Sequence, residues 1–517
     1  MDRVSALWKA CTIAFLSSFC VMVIELIAAR ILAPHIGVSL YTWTSIIGVI
    51  LAGIALGNYL GGRLVDKYTS PLLLLAVFFA GALATIFILP ATQIVTSADW
   101  FGNLPIMLNF TLKTVFIFFL PAIILSMVSP IVIKLTLADL GQTGGIVGTI
   151  YACSTLGAIL GTFMTGFYLI LWLGTGMIVW LVAGVLIVTG IVAWFSWSIP
   201  DRWAHSKNNY IIWAAVILAV FVAVLLFCVR DSLHEKYTKE SNYYTIDVAD
   251  GAYNDRILYI DNLIHSVVYR DLPTHLYYNY LQTFDEIVAY ITDTTKNTAP
   301  RVLHLGGGGY TFPRYMEIVY PDSVNEVVEI DPAVTQIAYE KLWLPRDTSI
   351  ITINKDARLF FIQRETEEKY DFIIGDVYSS TSIPYHLTTV EYNELVKANL
   401  EPDGIYLVNV IENFNEGRFL PSLVRTLQET FEYVYLFYYP DTYQTLKHTT
   451  FEIVATDSYI DIEKYNEYHG GGDSQVGFPF DEAELAEYLA EKDPVLLTDD
   501  YVPTDILQAP TILYVTR

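Results

Sequence analysis

Cysteine is scarce and unevenly placed: four in 517 residues, Cys11, Cys20, Cys153 and Cys228, all in apolar stretches of the first half. The second half has none, which excludes a disulfide framework or a thiolate metal site there. Charge is also scarce, at 16%, where a soluble chain carries about a quarter. That shortage excludes a disordered chain, which needs low hydrophobicity and high charge. Positive charge is the scarcest: 30 Lys and Arg stand against 54 Asp and Glu, a net −24. A balance this acidic does not suit phosphate backbones, so no nucleic-acid partner is expected. What is abundant is hydrophobic surface, at 54%.

Greasiness and acidity separate at Val229. Residues 1–229 hold nine bases and six acids, so that half is at +3. Residues 230–517 hold 21 bases and 48 acids and are at −27. A bilayer-spanning helix needs about 20 mostly apolar residues. Seven such stretches occur, near 10–32, 42–62, 71–93, 110–134, 145–170, 175–197 and 210–229. The first is too long, and too closely followed by others, for a simple signal peptide. The chain therefore reads as a multi-pass cell-membrane protein over 1–229, with a small β-domain over 230–272 and a larger domain over 273–517. With the amino terminus inside, inner segments carry seven Lys and Arg and outer ones five. That bias places the soluble half outside, whereas its ligand, read below, argues for the inside.

Within the spans, Gly53, Gly57 and Gly61 share one helix face, as do Gly157 and Gly161. Such faces let backbones approach in lipid; a substrate path is the rival reading. Pro121 and Pro130 predict kinks in the fourth span. Glu25, five residues before Arg30, is an acid well inside a span, either functional or an interfacial ion pair or helix-helix glue.

Residues 243–270 alternate as strands, with turns at Asp250-Gly251, Asn254-Asp255 and Asp261-Asn262. A helix over 275–293 follows. Strands are then expected at 301–305, 326–330, 349–354, 370–376 and 404–410, separated by helical stretches, with a closing pair at 433–439 and 450–455. Strands alternating with helices imply a doubly wound parallel sheet.

The chemistry-bearing pattern starts at Gly306, Gly307, Gly308 and Gly309, directly after the first of these strands. Glycines there allow a tight turn and close approach of a ligand to the backbone. Glu329 lies 23 residues beyond Gly306, at the end of the next strand, near the roughly 20-residue spacing of a ribose-binding acid. Asp356 follows the third strand, within reach of an adenine amino group, and Ala357 stands beside it. Asp376 ends the fourth strand. Acids and glycines at four successive strand ends point to nucleoside binding. By contrast, Asp331 before Pro332 reads as a helix N-cap, Asp371 as a surface partner of its strand and His304 as a core histidine. Tyr310, Phe312 and Tyr315 suit either core or ligand.

The motifs "VLHLGGGGYTFPRYM", "VVEIDPAVTQIA", "KDARLF", "YDFIIGDVYSS" and "LTTVEY" resemble those of spermidine synthase, the polyamine aminopropyltransferases. The segments "MVIELIAARILAPHIGVSLYTWTS" and "STLGAILGTFMTGF" resemble the membrane part of the membrane-fused spermidine synthase-like proteins. The resemblance implies a class I methyltransferase-like sheet behind a small β-domain, and aminopropyl transfer from decarboxylated S-adenosylmethionine to an amine such as putrescine. It implies that Glu329 holds the ribose, Asp356 the adenine, and Asp376 the attacking amine and its proton. No metal is called for, because the sulfonium brings its own leaving group. Soluble relatives are dimers or tetramers, which implies a homo-oligomer.

The chain departs from the family at the amine end. Gly309 stands where the family has an acid for the aminopropyl ammonium, and Ser379 where it has an acid for the far amine. Upstream, "PTHLYYNYL" replaces a tyrosine-histidine-glutamate stretch, leaving Tyr278 or His275 as substitutes. Tyr378 and Ser379, beside Asp376, complete the expected acceptor site. His386, ten residues after Asp376, is a candidate second base or a loop histidine. Asp499, with Asp500 and Asp505, forms an acidic lip, a metal site or a turn held by Pro503. Three functions follow: aminopropyl transfer, methyl transfer from S-adenosylmethionine to a membrane-associated substrate, or sensing of nucleosides or polyamines without turnover.

Overall fold

The computed structural model describes residues 3–37, 39–97, 101, 104–137, 143–196, 237–378, 382–446, 448–469 and 475–515. The chain forms two compact units, one from the apolar first half and one beginning at Tyr237.

Among the described residues, six helices are long and apolar enough to cross a membrane: Leu7–Ile36, Leu40–Lys67, Pro71–Thr96, Ile106–Thr136, Thr143–Leu169 and Trp172–Phe195. They coincide with the first six expected spans, most of them extended at one or both ends. The expected seventh, 210–229, lies outside the described residues.

The glycine faces are packing faces. A Cβ on Gly57 would lie 2.2 Å from the Ile123 carbonyl oxygen, and one on Gly61 2.7 Å from Met127 Cα. The second span thus rests directly on the fourth. Gly157 and Gly161 do the same against the first span, at Phe15 and Phe19. Pro121 follows a π-type turn over Val115–Phe119, and the helix is interrupted at Met127, three residues before Pro130. Both are the expected accommodations of a residue that cannot donate to the helical ladder.

The second unit opens with a four-stranded antiparallel meander of β1 (Tyr237–Glu240), β2 (Thr245–Asp250), β3 (Asp255–Ile260) and β4 (Leu263–Tyr269). Asp261 and Asn262 both have positive φ, 49° and 67°, the two-residue turn that matches strand twist. Helix α1 (Asn279–Thr295) starts four residues later than the sequence suggests, because Tyr278 is still extended.

The large sheet contains β5 (Arg301–Leu305), β6 (Val324–Glu329), β7 (Ile351–Asn354), β8 (Tyr370–Gly375), β9 (Leu400–Glu412), β10 (Tyr433–Tyr438), β11 (Thr449–Thr456) and β12 (Phe478–Pro479). Its order is β12-β10-β11-β9-β8-β5-β6-β7, with β7, β6, β5, β8 and β9 mutually parallel. β11 inserts antiparallel between β9 and β10. This is a class I methyltransferase-like sheet. Apolar residues on one face (Ile374, Leu407, Val454) pack on α1 and α2 (Thr311–Val319). Those on the other (Ile373, Val408, Ile453) pack on α4 (Ala357–Ile362), α5 (Val390–Ala398) and α6 (Phe419–Leu427). Helix α3 (Pro332–Lys341) instead leans on the small sheet through Val334 and Ile337.

Glu412, the last residue of β9, is fully buried beneath α6. Its carboxyl accepts from Phe419 N at 2.9 Å and Leu420 N at 3.1 Å, and the Thr511 hydroxyl also donates to it. Burial, opposed by these donors, pushes its pKa up from 4.5 to about 7. A carboxyl whose folded pKa is raised contributes stability below its unfolded value and loses it as pH rises through the folded value. The thermal midpoint of the full-length protein is therefore expected to fall between about pH 4.5 and 7. Glu412→Gln should flatten the part of that fall lying between about pH 4.5 and 7 in a melting series across this range.

Candidate functional site

The glycine turn begins where β5 ends. Gly306 and Gly308 have φ of +92° and +47°, a region that costs a side chain dearly. Gly306 also has no room: a Cβ would lie 2.3 Å from the Asp376 carbonyl oxygen. The turn is thereby pressed against the end of β8.

Glu329, at the end of β6, reaches into this turn. Its Oε2 accepts from Gly307 N at 2.7 Å and its Oε1 from Asp331 N at 2.8 Å. It is buried, and desolvation raises its pKa while these donors pull the other way. A carboxylate offers about four lone-pair sites, and the backbone donors at Asp331, Gly307 and Gly308 already engage most of those on Glu329.

Asp376 follows β8. Its Oδ2 accepts from the Tyr280 hydroxyl at 2.9 Å and its Oδ1 from Asn409 Nδ2 at 2.9 Å. Desolvation raises its pKa, and these two donors partly offset that. The carboxyl is thus held from both sides in one orientation, which is what positioning a reacting proton requires.

Other candidates gather in a second cluster. Asp356 caps α4 by accepting from Leu359 N at 3.0 Å, next to Ala357 in its first turn. Its Oδ2 meets His386 Nε2 at 2.9 Å, and this contact lowers the Asp356 pKa. His386, expected as a second base for the amine, is thus committed to the acid expected at the adenine. Arg358 reaches the His386 carbonyl at 3.0 Å and forks onto both oxygens of Asp499. Thr389 also donates to Asp499, at 2.8 Å. Asp499 is therefore a clasp between the 386 loop and the chain near its end, not a lip for amines. A guanidinium already satisfies it and holds its pKa down.

The expected acceptor residues divide as well. Tyr278 is half-buried and stacks on Tyr280 at 5.8 Å, so it backs the site through its neighbour. The Tyr378 hydroxyl accepts from Ile411 N at 2.5 Å, on the backbone of β9, and is spent there. Ser379 lies outside the described residues. His275 packs edge-on against Tyr269. The alternative assignments resolve plainly: Asp331 caps α3 through Ala333 N at 2.9 Å, Asp371 accepts from Arg301 N at 2.7 Å, and His304 is buried, its pKa depressed to about 4 by desolvation. Tyr310 and Phe312 are core.

Gly309 has a steric reason to lack a side chain. A Cβ there would lie 2.6 Å from Ser266 Cβ and 2.9 Å from Val268 Cγ2, both on β4. Gly309 N also donates to Ser266 Oγ at 2.9 Å. The small sheet fills the space where the family carries its acid.

Tyr280 and Asn409 escaped the sequence reading. Their signal was present: a polar Asn409 interrupts the apolar run "GIYLVNV", and Tyr280 is one of three tyrosines at a helix start.

A glycine turn after the first strand of the large sheet, an acid ending the second and an oriented acid ending the fourth lie together at one edge of a class I methyltransferase-like sheet. Comparisons with known proteins give the nearer likeness. The chain is 34% identical over 110 residues to a polyamine aminopropyltransferase of Vibrio vulnificus, covering 21% of this chain and 37% of that protein. It is 29% identical over 178 residues to a probable polyamine aminopropyl transferase of Bifidobacterium longum, covering 34% and 37%. A crystal structure of a probable spermidine synthase from Corynebacterium glutamicum covers 51% of this chain and 96% of its own, at 24% identity and a TM-score of 0.46. No family model matches the chain. The matched segment spans little more than a third of each curated relative. In sequence, the second half is spermidine synthase-like.

Proposed function

We propose that this chain is a membrane-bound transferase that moves an aminopropyl group from decarboxylated S-adenosylmethionine to an amine. The observation that carries the reading is Asp376, at the end of β8, whose carboxyl is gripped by Tyr280 and Asn409 and whose backbone carbonyl abuts the glycine turn.

The donor's sulfonium, when bound, supplies an electrophilic carbon and a neutral thioether leaving group. The remaining tasks fall to this chain. Glu329 and the turn at Gly306–Gly308 hold the nucleoside. The Asp356–His386 pair stands at the next strand end, towards the base. Asp376 orients the amine and takes one proton from its nitrogen. The nitrogen's lone pair forms the C–N bond as the C–S bond breaks, and that electron pair leaves with sulfur. The raised pKa of Asp376 suits it to accept a proton. Holding both reactants in line replaces an improbable encounter with a near-attack geometry.

Purified full-length protein should be offered decarboxylated S-adenosylmethionine and, separately, S-adenosylmethionine, each with putrescine, and followed for binding and product. Aminopropylated product from the decarboxylated donor is the expected result. Preferential tight binding of S-adenosylmethionine would overturn the proposal in favour of methyl transfer. Binding of either donor without turnover on any amine would favour a sensor.

A further inference from the structure

Helix α1 turns three polar residues toward the large sheet, Tyr280, Thr283 and Glu286, each 8% exposed or less. They follow one helical face at i, i+3 and i+6. Facing them is a polar row that crosses three neighbouring strands: Asp376 after β8, Asn409 on β9 and Glu452 on β11. Asn409 stands directly opposite Glu452 in the β9–β11 register, and its amide holds Asp376. Glu452 lies two residues before Val454, and Asn409 two after Leu407, both in the apolar layer beneath α1. Side chains alternate along a strand, so both polar groups enter that layer.

Glu452 is the anomaly in the row. It is fully buried, and neither carboxyl oxygen has a well-formed hydrogen bond. The Tyr439 hydroxyl, 3.2 Å from Thr283 Oγ1, is the donor placed beside it. The charged groups that act on it are carboxyls, Asp376 and Glu286, and with burial they push its pKa up to about 8. Glu286, by contrast, is satisfied by Val476 N at 2.7 Å and Gly477 N at 3.2 Å. A buried carboxyl with so few donors is costly, and three carboxyls gathered here, Asp376 and Glu452 on the sheet and Glu286 on the facing helix, repel unless a proton or an external cation neutralises them.

We propose that Glu452 is the second carboxylate of the acceptor site, receiving the far ammonium of a short linear diamine whose near nitrogen sits at Asp376. The proposal rests on the aminopropyl-transfer reading and names the residue that receives the far nitrogen of its acceptor. Two strand spacings, about 9–10 Å between backbones, separate the two acids, and their side chains narrow that gap. Glu452 thereby takes over a duty that the sequence leaves without an acid at Ser379. An arriving ammonium favours the ionised carboxyl, so Glu452 gives up its proton as the diamine binds.

Calorimetry on the full-length protein, with 5′-methylthioadenosine present, tests this by comparing 1,4-diaminobutane with n-butylamine. The wild type should prefer the diamine. Glu452→Gln should weaken diamine binding by about 10–100-fold, the loss of one charge-assisted contact. It should leave n-butylamine and the nucleoside unchanged. Glu452→Asp, one methylene shorter, should move the preferred diamine one carbon longer, which loss of stability would not do. Retention of the wild-type diamine preference in Glu452→Gln overturns the assignment of Glu452 while leaving nucleoside binding and transfer intact. Failure of the wild type to bind the nucleoside overturns the transfer reading itself, and this one with it.

Discussion

Asp376→Asn should lower aminopropyl transfer by about 10²–10⁴-fold, the usual contribution of a positioned general base. At about 1.4 kcal/mol per tenfold, that is roughly 3–5 kcal/mol of transition-state stabilisation. Asparagine keeps the size of the side chain. It also keeps one acceptor oxygen for Tyr280 or Asn409, which grip the carboxyl at 2.9 Å each. What it loses is the ability to accept the amine proton. Donor binding should therefore be unchanged, because Glu329 and the glycine turn are untouched. The loss should fall on kcat in single-turnover measurements with saturating donor. A variant that keeps full turnover would remove Asp376 from the reaction. Tyr280→Phe offers a graded companion: it frees one oxygen of Asp376, and a smaller loss than that of Asp376→Asn is expected.

Gly309→Asp is the second large effect. It restores the acid that the family carries in its glycine motif, yet it should damage the protein rather than improve the enzyme. The new Cβ would lie 2.6 Å from Ser266 Cβ and 2.9 Å from Val268 Cγ2. Ser266 Cβ is fixed by the β4 backbone and has no side-chain torsion through which to retreat. Overpacking of this kind costs about 1–3 kcal/mol and sometimes more. The hydrogen bond from Gly309 N to Ser266 Oγ would be strained with it, at about 1 kcal/mol. A carboxylate placed against Val268 adds a desolvation cost. A drop in the thermal midpoint, together with loss of nucleoside binding, is the expected result. Ser266→Gly in the same chain should recover part of the midpoint. An unperturbed Gly309→Asp protein with improved donor affinity would show that β4 yields and that the acid is merely missing.

These two expectations mark how far the sequence could be read. The strand runs "RVLHL", "YDFIIGD" and "GIYLVNV" are apolar enough to be buried on both faces, and the observed strands fall within a few residues of them. The six described helices long and apolar enough to cross a membrane were legible for the same reason: length and apolarity are local properties. That the turn at Gly306–Gly309 and the acids Glu329, Asp356 and Asp376 fall at or just beyond strand ends was legible because strand ends can be counted. Partners were not legible. Asp499 lies 141 positions from Arg358, and no local pattern shows that a guanidinium already holds it. His386 is 30 positions from Asp356, and only the path of the intervening loop pairs them.

By itself the sequence determined a greasy first half, an acidic second half, the parallel sheet with its small β-domain, and a nucleoside-type arrangement of glycines and carboxylates. Only the tertiary structure decided which side chains meet. It brought Tyr280 to Asp376 across 96 positions and Asn409 to the same carboxyl across 33. It set Glu452 opposite Asn409, and it showed that β4 leaves no volume beside Gly309. The physical reason is that hydrophobic period is written along the chain, whereas hydrogen-bond partners and free volume depend on which strands become neighbours. Here the insertion of β11 beside β9 created the buried polar row, and neither strand's residues reveal that adjacency alone.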